Sequence, residues 1–247
     1  MYKQIFIDYL NNFQFDETFS APIEYIIKNN NANFIRPQLV LSFCDLYGGD
    51  IKKALPLALA VECIHTASLI YDDLPCMDNE NFRRGKKCLH LEFNESTAIL
   101  TATSLIFLAF NLIATSELSI AQKSQSTYIL STMAQEMCIG QQKELIGNSI
   151  SSIEWIDIHR KKTGSLIACA CALGAISAEK LNIEDALSFG YALGINYQIK
   201  DDIKDNDGIS SFNDEKINKI VKSNKSIIQN DLFVKNKFLK KIGECVC

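Results

Sequence analysis

Six aspartates fall into two tight groups, each closing a long apolar segment: Asp72-Asp73-Leu74-Pro75-Cys76-Met77-Asp78 and Asp201-Asp202-Ile203-Lys204-Asp205. A lone carboxylate is costly to bury unless it is paired, protonated or bound to metal. Asp201 and Asp205 are four apart and share a face if the segment is helical. Asp72 and Asp78 are six apart and do not. Pro75 between them should bend or end the helix, which can carry Asp78 round beside Asp72. Oxygen-only ligands suit a hard cation, with magnesium the leading choice, and magnesium takes one or two carboxylates together with substrate phosphates. Two such groups therefore suit a diphosphate held through bridging ions. The plainer alternative is helix-end carboxylates facing solvent.

The basic residues point the same way. Of 25 Lys and Arg, only Arg36, Arg83, Arg84 and Arg160 are arginine. In a chain that otherwise uses lysine, arginine belongs where its planar fork matters. Arg83 and Arg84 stand together just after Asp78, as two adjacent guanidinium groups suited to phosphates. Glu62, His65, Thr66 and Asp73 form a polar stripe on an otherwise apolar segment. His65 lies seven residues before Asp72, two turns away along one helix face. Lys162 and Thr163 could bind phosphate, although a solvated helix C-terminus also carries such cations. No nucleophile-and-base triad stands out.

These residues need rigid elements to hold them. The chain has 247 residues, 47% of them hydrophobic, with a formal net charge of −4. That suits a globular protein and argues against a broad nucleic-acid footprint. Only 11 Gly and 4 Pro punctuate it, which favours long helices over a many-stranded sandwich. Helices are expected over Phe34–Leu46, Ile51–Tyr71, Thr97–Ala114, Ser124–Ile139, Ile153–Lys162, Leu166–Ala178 and Ile183–Asp205, the last with Asn182 as N-cap. No run alternates as a strand would, so the fold class is all-α, a helical bundle whose central helices are apolar on nearly every face. The stretch Thr97–Ser116 is broken by polar residues and is expected to be a buried core helix, with no membrane span. Nothing marks a repeat or a linker, so one domain over 1–247 is expected, with 206–247 atypical and shortened. Asn206–Asn236 is rich in Asn, Lys and Asp and is expected to be loose or solvated. Nine cysteines, an odd number, and an opening without a cleavage-like site suggest reduced thiols in a cytoplasmic protein.

From about Phe34 to Asp205 the chain resembles the trans-polyprenyl diphosphate synthases, the farnesyl and geranylgeranyl diphosphate synthase group. The strongest match runs from Glu62-Cys-Ile-His65 through Asp72-Asp-Leu-Pro-Cys-Met-Asp78 to Phe82-Arg83-Arg84-Gly85. Ile35-Arg36-Pro37, Gly140-Gln141, His159-Arg-Lys-Lys162-Thr163-Gly164 and Tyr197-Gln198-Ile-Lys-Asp201-Asp202 add to it.

The resemblance implies an isoprenoid synthase-type bundle around a deep apolar cavity, and a homodimer. It implies three Mg2+ ions, with Asp72 and Asp78 on two and Asp201 on the third. Asp73, Asp202 and Asp205 would support them, Asp205 being a further candidate ligand. Arg83, Lys162 and Gln198 would hold the allylic diphosphate (dimethylallyl, geranyl or farnesyl), and Arg36, His65 and Arg84 would hold isopentenyl diphosphate. Thr163 would assist near the reacting end. Farnesyl-forming members often carry a bulky aromatic four or five residues before the first Asp. Here those positions are Ser68 and Ala67, which implies a deeper pocket and geranylgeranyl diphosphate as product, with farnesyl diphosphate as the alternative. A non-catalytic regulatory subunit, or a terpene cyclase with the same bundle, would share much of this pattern.

The chain departs from that pattern in places. Asn33 stands where a lysine is usual, and Ala102-Thr103 replaces a Gly-Asp pair expected before the next helix. No Gly-Lys loop is recognisable after Asp205, where Lys216 and Lys225 are candidates and Lys225 is the better spaced.

Overall fold

The computed structural model describes residues 1–28, 32–146, 151–180, 182–205 and 215–246. Thirteen α-helices, two π-helical turns and one two-stranded hairpin make up the regular structure of the described residues. The expected all-α class is the observed one. Internal contacts divide the chain into two compact units, Met1–Gln38 with Leu55–Glu117, and Leu39–Ala54 with Leu118–Cys247.

In the first unit, α1 (Tyr2–Asn12) buries Tyr2, Phe6 and Leu10 at four-residue steps, one apolar face of a helix. Phe6 packs on Phe34 with ring centroids 5.2 Å apart. Helix α2 (Glu17–Ile23) is capped by Asp16, whose side chain accepts from Thr18 N at 2.9 Å, and runs into a π-helical turn over Glu24–Lys28. Helix α3 (Ile35–Leu46) gives this unit Ile35–Gln38, and helix α4 (Ile51–Asp72) gives it Leu55–Asp72. From Leu57 to Ile64 every residue of α4 is buried, so this stretch has no solvent face and no amphipathic stripe. A hairpin of β1 (Phe82–Arg83) and β2 (Lys86–Lys87) comes next, then the short α5 (Leu89–Glu92) and α6 (Glu95–Thr115). Asn94 caps α6 by accepting from Thr97 N at 2.7 Å, which starts that helix earlier than its apolar run suggests.

The expectation of a buried core helix over Thr97–Ser116 holds for one face only. Ala98, Ala102, Leu105, Ala109 and Leu112 are buried, whereas Leu100 is 57% and Phe107 70% exposed. Both α4 and α6 are long and apolar enough to cross a membrane by length and composition.

The second unit is built on α9 (Ser165–Ser177), all thirteen residues of which are buried. Helices α7 (Ile120–Ile146) and α10 (Glu184–Asp205) pack against it. A Cβ at Gly190 would stand 2.3 Å from the Ala168 Cα, so α10 rests on the α9 backbone itself. Phe43, Phe189 and Phe233 cluster with their rings tilted or edge-on to one another, centroids 4.6 to 5.7 Å apart. Asn182 does cap α10, accepting from Glu184 N at 2.9 Å.

Helix α8 (Ser152–His159) does not stop at Lys162 as its sequence suggests. The backbone passes through a π-helical turn over Arg160–Gly164 straight into α9. Part of the Asn206–Asn236 stretch is also helical. Residues 206–214 lie outside the described ones, but α11 (Glu215–Ile228) buries Ile217 against Trp155, Ile195 and Ile199. Helices α12 (Asp231–Val234) and α13 (Lys237–Val246) complete the unit. None of the eight described cysteines forms a disulfide.

Candidate active site

The first aspartate group sits where α4 ends. Its last turn closes on Asp73 N to Leu69 O, 3.1 Å, and Pro75 has no N–H to continue the ladder. The chain then folds back. Asp78 N donates to Asp72 O at 2.8 Å, and Asn79, in the left-handed region at φ +53°, donates to Leu74 O at 3.1 Å. This reversal brings the first and last aspartates of the group together, which their six-residue spacing on a helix cannot do. Asp72 is half-buried and Asp78 exposed.

Asp73 is different. It is 1% exposed, and its Oδ1 accepts from Arg83 Nε and Nη2, both at 2.6 Å. Its Oδ2 is buried without a hydrogen-bond partner among the described residues. In this geometry Asp73 anchors an arginine.

Arg83 reaches Asp73 from the hairpin, where it stands opposite Lys86. The connecting residues Arg84 and Gly85 have φ of +53° and +79°, as a two-residue type I′ turn demands. The hairpin forms one side of an open cleft that also includes Thr66, Leu69 and Asp73 of the α4 end.

Deeper along α4, Glu62 is 4% exposed. Burial pushes its carboxyl up to about 7 against the pull of Arg36 and Arg84. His65 is driven well below its ordinary value by desolvation, with Arg36, Arg84 and Arg83 adding to the effect. A charge network therefore joins Glu62 and His65 to Arg36 and both hairpin arginines. Ala67 is buried, and Ser68 Oγ donates to His65 O at 2.8 Å. Tyr71 Oη lies 2.8 Å from Thr103 Oγ1, which itself donates to Ile99 O. Ala102-Thr103 thus lies inside α6, not before it. Asn33 is exposed, and its carbonyl accepts from Gln38 Nε2 at 2.7 Å.

In the second unit, Lys162 and Thr163 ride on the π-helical turn, a local widening often found at functional sites. Gly140 of α7 makes room for it, since a Cβ there would stand 2.5 Å from Lys162 N. Lys162 is ion-paired with Glu144. Lys161 bonds Asp157 at 2.6 Å with Glu136 at 3.8 Å, and Lys143 reaches the same Asp157 at 2.9 Å. Thr163 Oγ1 donates to Gln198 Oε1 at 3.1 Å, and Gln198 Nε2 donates to Asp202 Oδ1 at 2.7 Å. Three of the singled-out residues, Thr163, Gln198 and Asp202, therefore form one hydrogen-bonded line. Asp201 is half-buried one residue away on α10. Asp205 ends α10, and its side chain lies outside the described residues, as does that of Lys216. Lys225 is exposed in the last turn of α11, a helix and not a loop.

Sequence reasoning missed Glu144 and Asp157. The signal for Glu144 was available: it lies four residues beyond Gly140 on α7, one turn along the face that meets the π-helical turn. Gln141 next to Gly140 has both side-chain amide atoms buried without hydrogen-bond partners among the described residues.

Among the described residues no three acidic, His or Cys side chains converge as a preformed metal cluster. That still fits magnesium, which needs only one or two carboxylates when substrate phosphates complete its shell. Asp72 and Asp78, whose backbones are joined by a hydrogen bond, offer all-oxygen donors of that kind.

Residues 16–226 match the profile of the Polyprenyl synthetase family. The chain belongs to that family. Among relatives of this chain, the farnesyl diphosphate synthase of Micrococcus luteus is 40% identical over 182 residues, covering 70% of this chain and 62% of the relative. Geranylgeranyl pyrophosphate synthase 4 of Arabidopsis thaliana is 37% identical over 182 residues, covering 69% and 48%. The chain thus spans about half to three fifths of the length of these two curated relatives. Among solved structures, geranyltranstransferase from Thermotoga maritima superposes with a TM-score of 0.81 at 27% identity, covering 99% of this chain and 95% of that one. An isoprenoid synthase family member from Thermotoga neapolitana gives 0.81 at 26%, covering 100% and 97%. The polyprenyl synthetase fold expected from the motifs is therefore the fold observed.

Proposed function

We propose that the chain is a short-chain trans-prenyltransferase that joins isopentenyl diphosphate to an allylic diphosphate, with geranylgeranyl diphosphate as product. The observation that carries this reading is the reversal at Pro75, which ties Asp72 to Asp78 beside a hairpin bearing two arginines. Family membership and the names of the relatives support it.

Arg83, anchored by Asp73, together with Lys162 and Gln198, binds the allylic diphosphate. Arg36, His65 and Arg84 bind isopentenyl diphosphate, with Lys225 a further candidate for the phosphates. Thr163, fixed by Gln198, lies near the reacting end. Three Mg2+ ions, when held by Asp72, Asp78, Asp201 and Asp205, would neutralise charge on the departing diphosphate. The allylic C–O bond breaks with its electron pair leaving on the diphosphate. The double bond of isopentenyl diphosphate then forms the new C–C bond, and a proton leaves to the released diphosphate. A deep apolar cavity keeps water from the carbocation. The chain's cations stabilise the negative charge that develops on the leaving group, and they do so from preset positions.

Ala67 and Ser68 favour the twenty-carbon product, because neither fills the space a bulky aromatic would occupy. Farnesyl diphosphate is the alternative product. Asn33 favours a second reading, a non-catalytic regulatory subunit. A cytoplasmic homodimer is part of the proposal, and the exposed Leu100 and Phe107 of α6 give a second copy an apolar face to cover.

The test is product sizing by chromatography after incubation of the purified chain with magnesium, isopentenyl diphosphate and farnesyl diphosphate. A twenty-carbon diphosphate supports the reading, and Ala67→Phe should shorten the product to fifteen carbons from a geranyl primer. A hydrocarbon product would mean a cyclase, and no product would favour the subunit.

A further inference from the structure

The hairpin places Arg83 directly across from Lys86. Like charges opposite one another on a ladder destabilise it, so their juxtaposition calls for a reason. Arg83 is neutralised by Asp73. Lys86 lies 5.3 Å from the centre of the Tyr25 ring, and the Tyr25 hydroxyl donates to Lys87 O at 3.0 Å. Tyr25 thus braces β2 from the π-helical turn after α2. Among the described residues neither Lys86 nor Lys87 has a carboxylate partner. Arg83, Arg84, Lys86 and Lys87 all line the same cleft, and Asp73, already engaged by Arg83, is its one carboxylate. The cleft also presents Ile26 and Leu69. A cationic rim beside apolar side chains has the chemistry to take a small apolar chain ending in a diphosphate.

We infer that Lys86 and Lys87 bind the diphosphate of isopentenyl diphosphate, in addition to Arg84. The inference rests on the reading of the chain as a prenyltransferase and deepens it, since the neutral Asn33 leaves room for a cation supplied from elsewhere. Lys86 is steadied on Tyr25, so its ammonium is presented with little loss of side-chain freedom. Lys87 is exposed at the rim and adds the second charge that a diphosphate requires.

The test is isothermal titration calorimetry of the full chain with isopentenyl diphosphate, and separately with geranyl diphosphate, in Lys86→Met/Lys87→Met and Lys86→Arg/Lys87→Arg variants. The methionine pair should weaken isopentenyl diphosphate binding by about 10- to 100-fold, leave geranyl diphosphate binding within about twofold, and be rescued by the arginine pair. Should the methionine pair lose helicity, the single Lys87→Met at the exposed position decides, with a loss of at least about fivefold expected. Isopentenyl diphosphate binding unchanged by the methionine pair, equal weakening of both ligands, or no binding by the unaltered chain would each overturn the inference. Lysine-dependent binding without any chain elongation would uphold it and count instead against the proposed activity.

Discussion

The amide of Asp78 donates to the carbonyl of Asp72 across 2.8 Å. One backbone bond thereby joins the main chain of two aspartates that helical spacing would hold apart. If both serve the same ions, removing either should cost nearly as much as removing both. Asp72→Asn and Asp78→Asn should each lower kcat by roughly 100- to 1,000-fold, and the double variant should lose less than about tenfold more than the worse single. Steady-state kinetics of the four proteins measure this, and losses that multiply would mean that the two residues act independently.

Asp73 holds Arg83 rather than standing open beside its neighbour Asp72. Asp73→Asn keeps the shape and removes the charge, so the KM for the allylic diphosphate should rise about tenfold with kcat little changed. In an Arg83→Met background the same substitution should have almost no further effect. A large fall in kcat with KM unmoved would instead make Asp73 a direct metal ligand.

Gly140 lies against the backbone of Lys162. The methyl group of Gly140→Ala would be 2.5 Å from that nitrogen, forcing α7 and the π-helical turn apart. Overpacking of this kind costs about 1–3 kcal/mol, and displacement of Lys162 should lower kcat by at least roughly tenfold. Denaturant melts and initial rates on the same preparation check both parts, and unaltered stability and rate would contradict the packing argument.

Glu62 is buried with its carboxyl pushed up to about 7 from an ordinary 4.5. Between those values the folded chain keeps a proton that the unfolded chain releases, so this group's contribution is complete below pH 4.5 and is lost as pH rises through 7. The displacement corresponds to roughly 3 kcal/mol. Glu62→Gln should therefore gain stability over the unaltered chain progressively from about pH 5 to pH 8. His65, displaced the opposite way, is common to both proteins and largely cancels in the difference. Urea melts across that range provide the measurement, and a difference independent of pH would show that Glu62 is already charged when folded.

Much of this was legible in the sequence because the signals were local. Pro75 marked the end of α4, Asn182 its cap on α10, and the apolar runs marked the central helices. Asn94 and Ser151 also cap helices, α6 and α8, but lie outside the apolar runs and were passed over. The π-helical turn at Arg160–Gly164 was invisible because Thr163-Gly164 has the composition of a helix stop. Gly140, more than twenty residues away in sequence, lets the widened turn nest against α7. Asp73 and Asp72 are neighbours in sequence with the same chemistry, and only the path of the hairpin separates an arginine anchor from a metal-ligand candidate. The exposed face of α6 was hidden for the opposite reason, since an apolar composition alone does not say which side is covered.

The carboxylates of Asp72 and Asp78 are proposed to serve a magnesium-dependent chain elongation. Labelled isopentenyl diphosphate, incubated with the purified chain and farnesyl diphosphate, should pass into acid-labile allylic product in the presence of magnesium, stop when the metal is chelated, and resume when it is restored. Label that stays in isopentenyl diphosphate at every magnesium concentration, with the protein folded and both substrates shown to bind, would contradict the account.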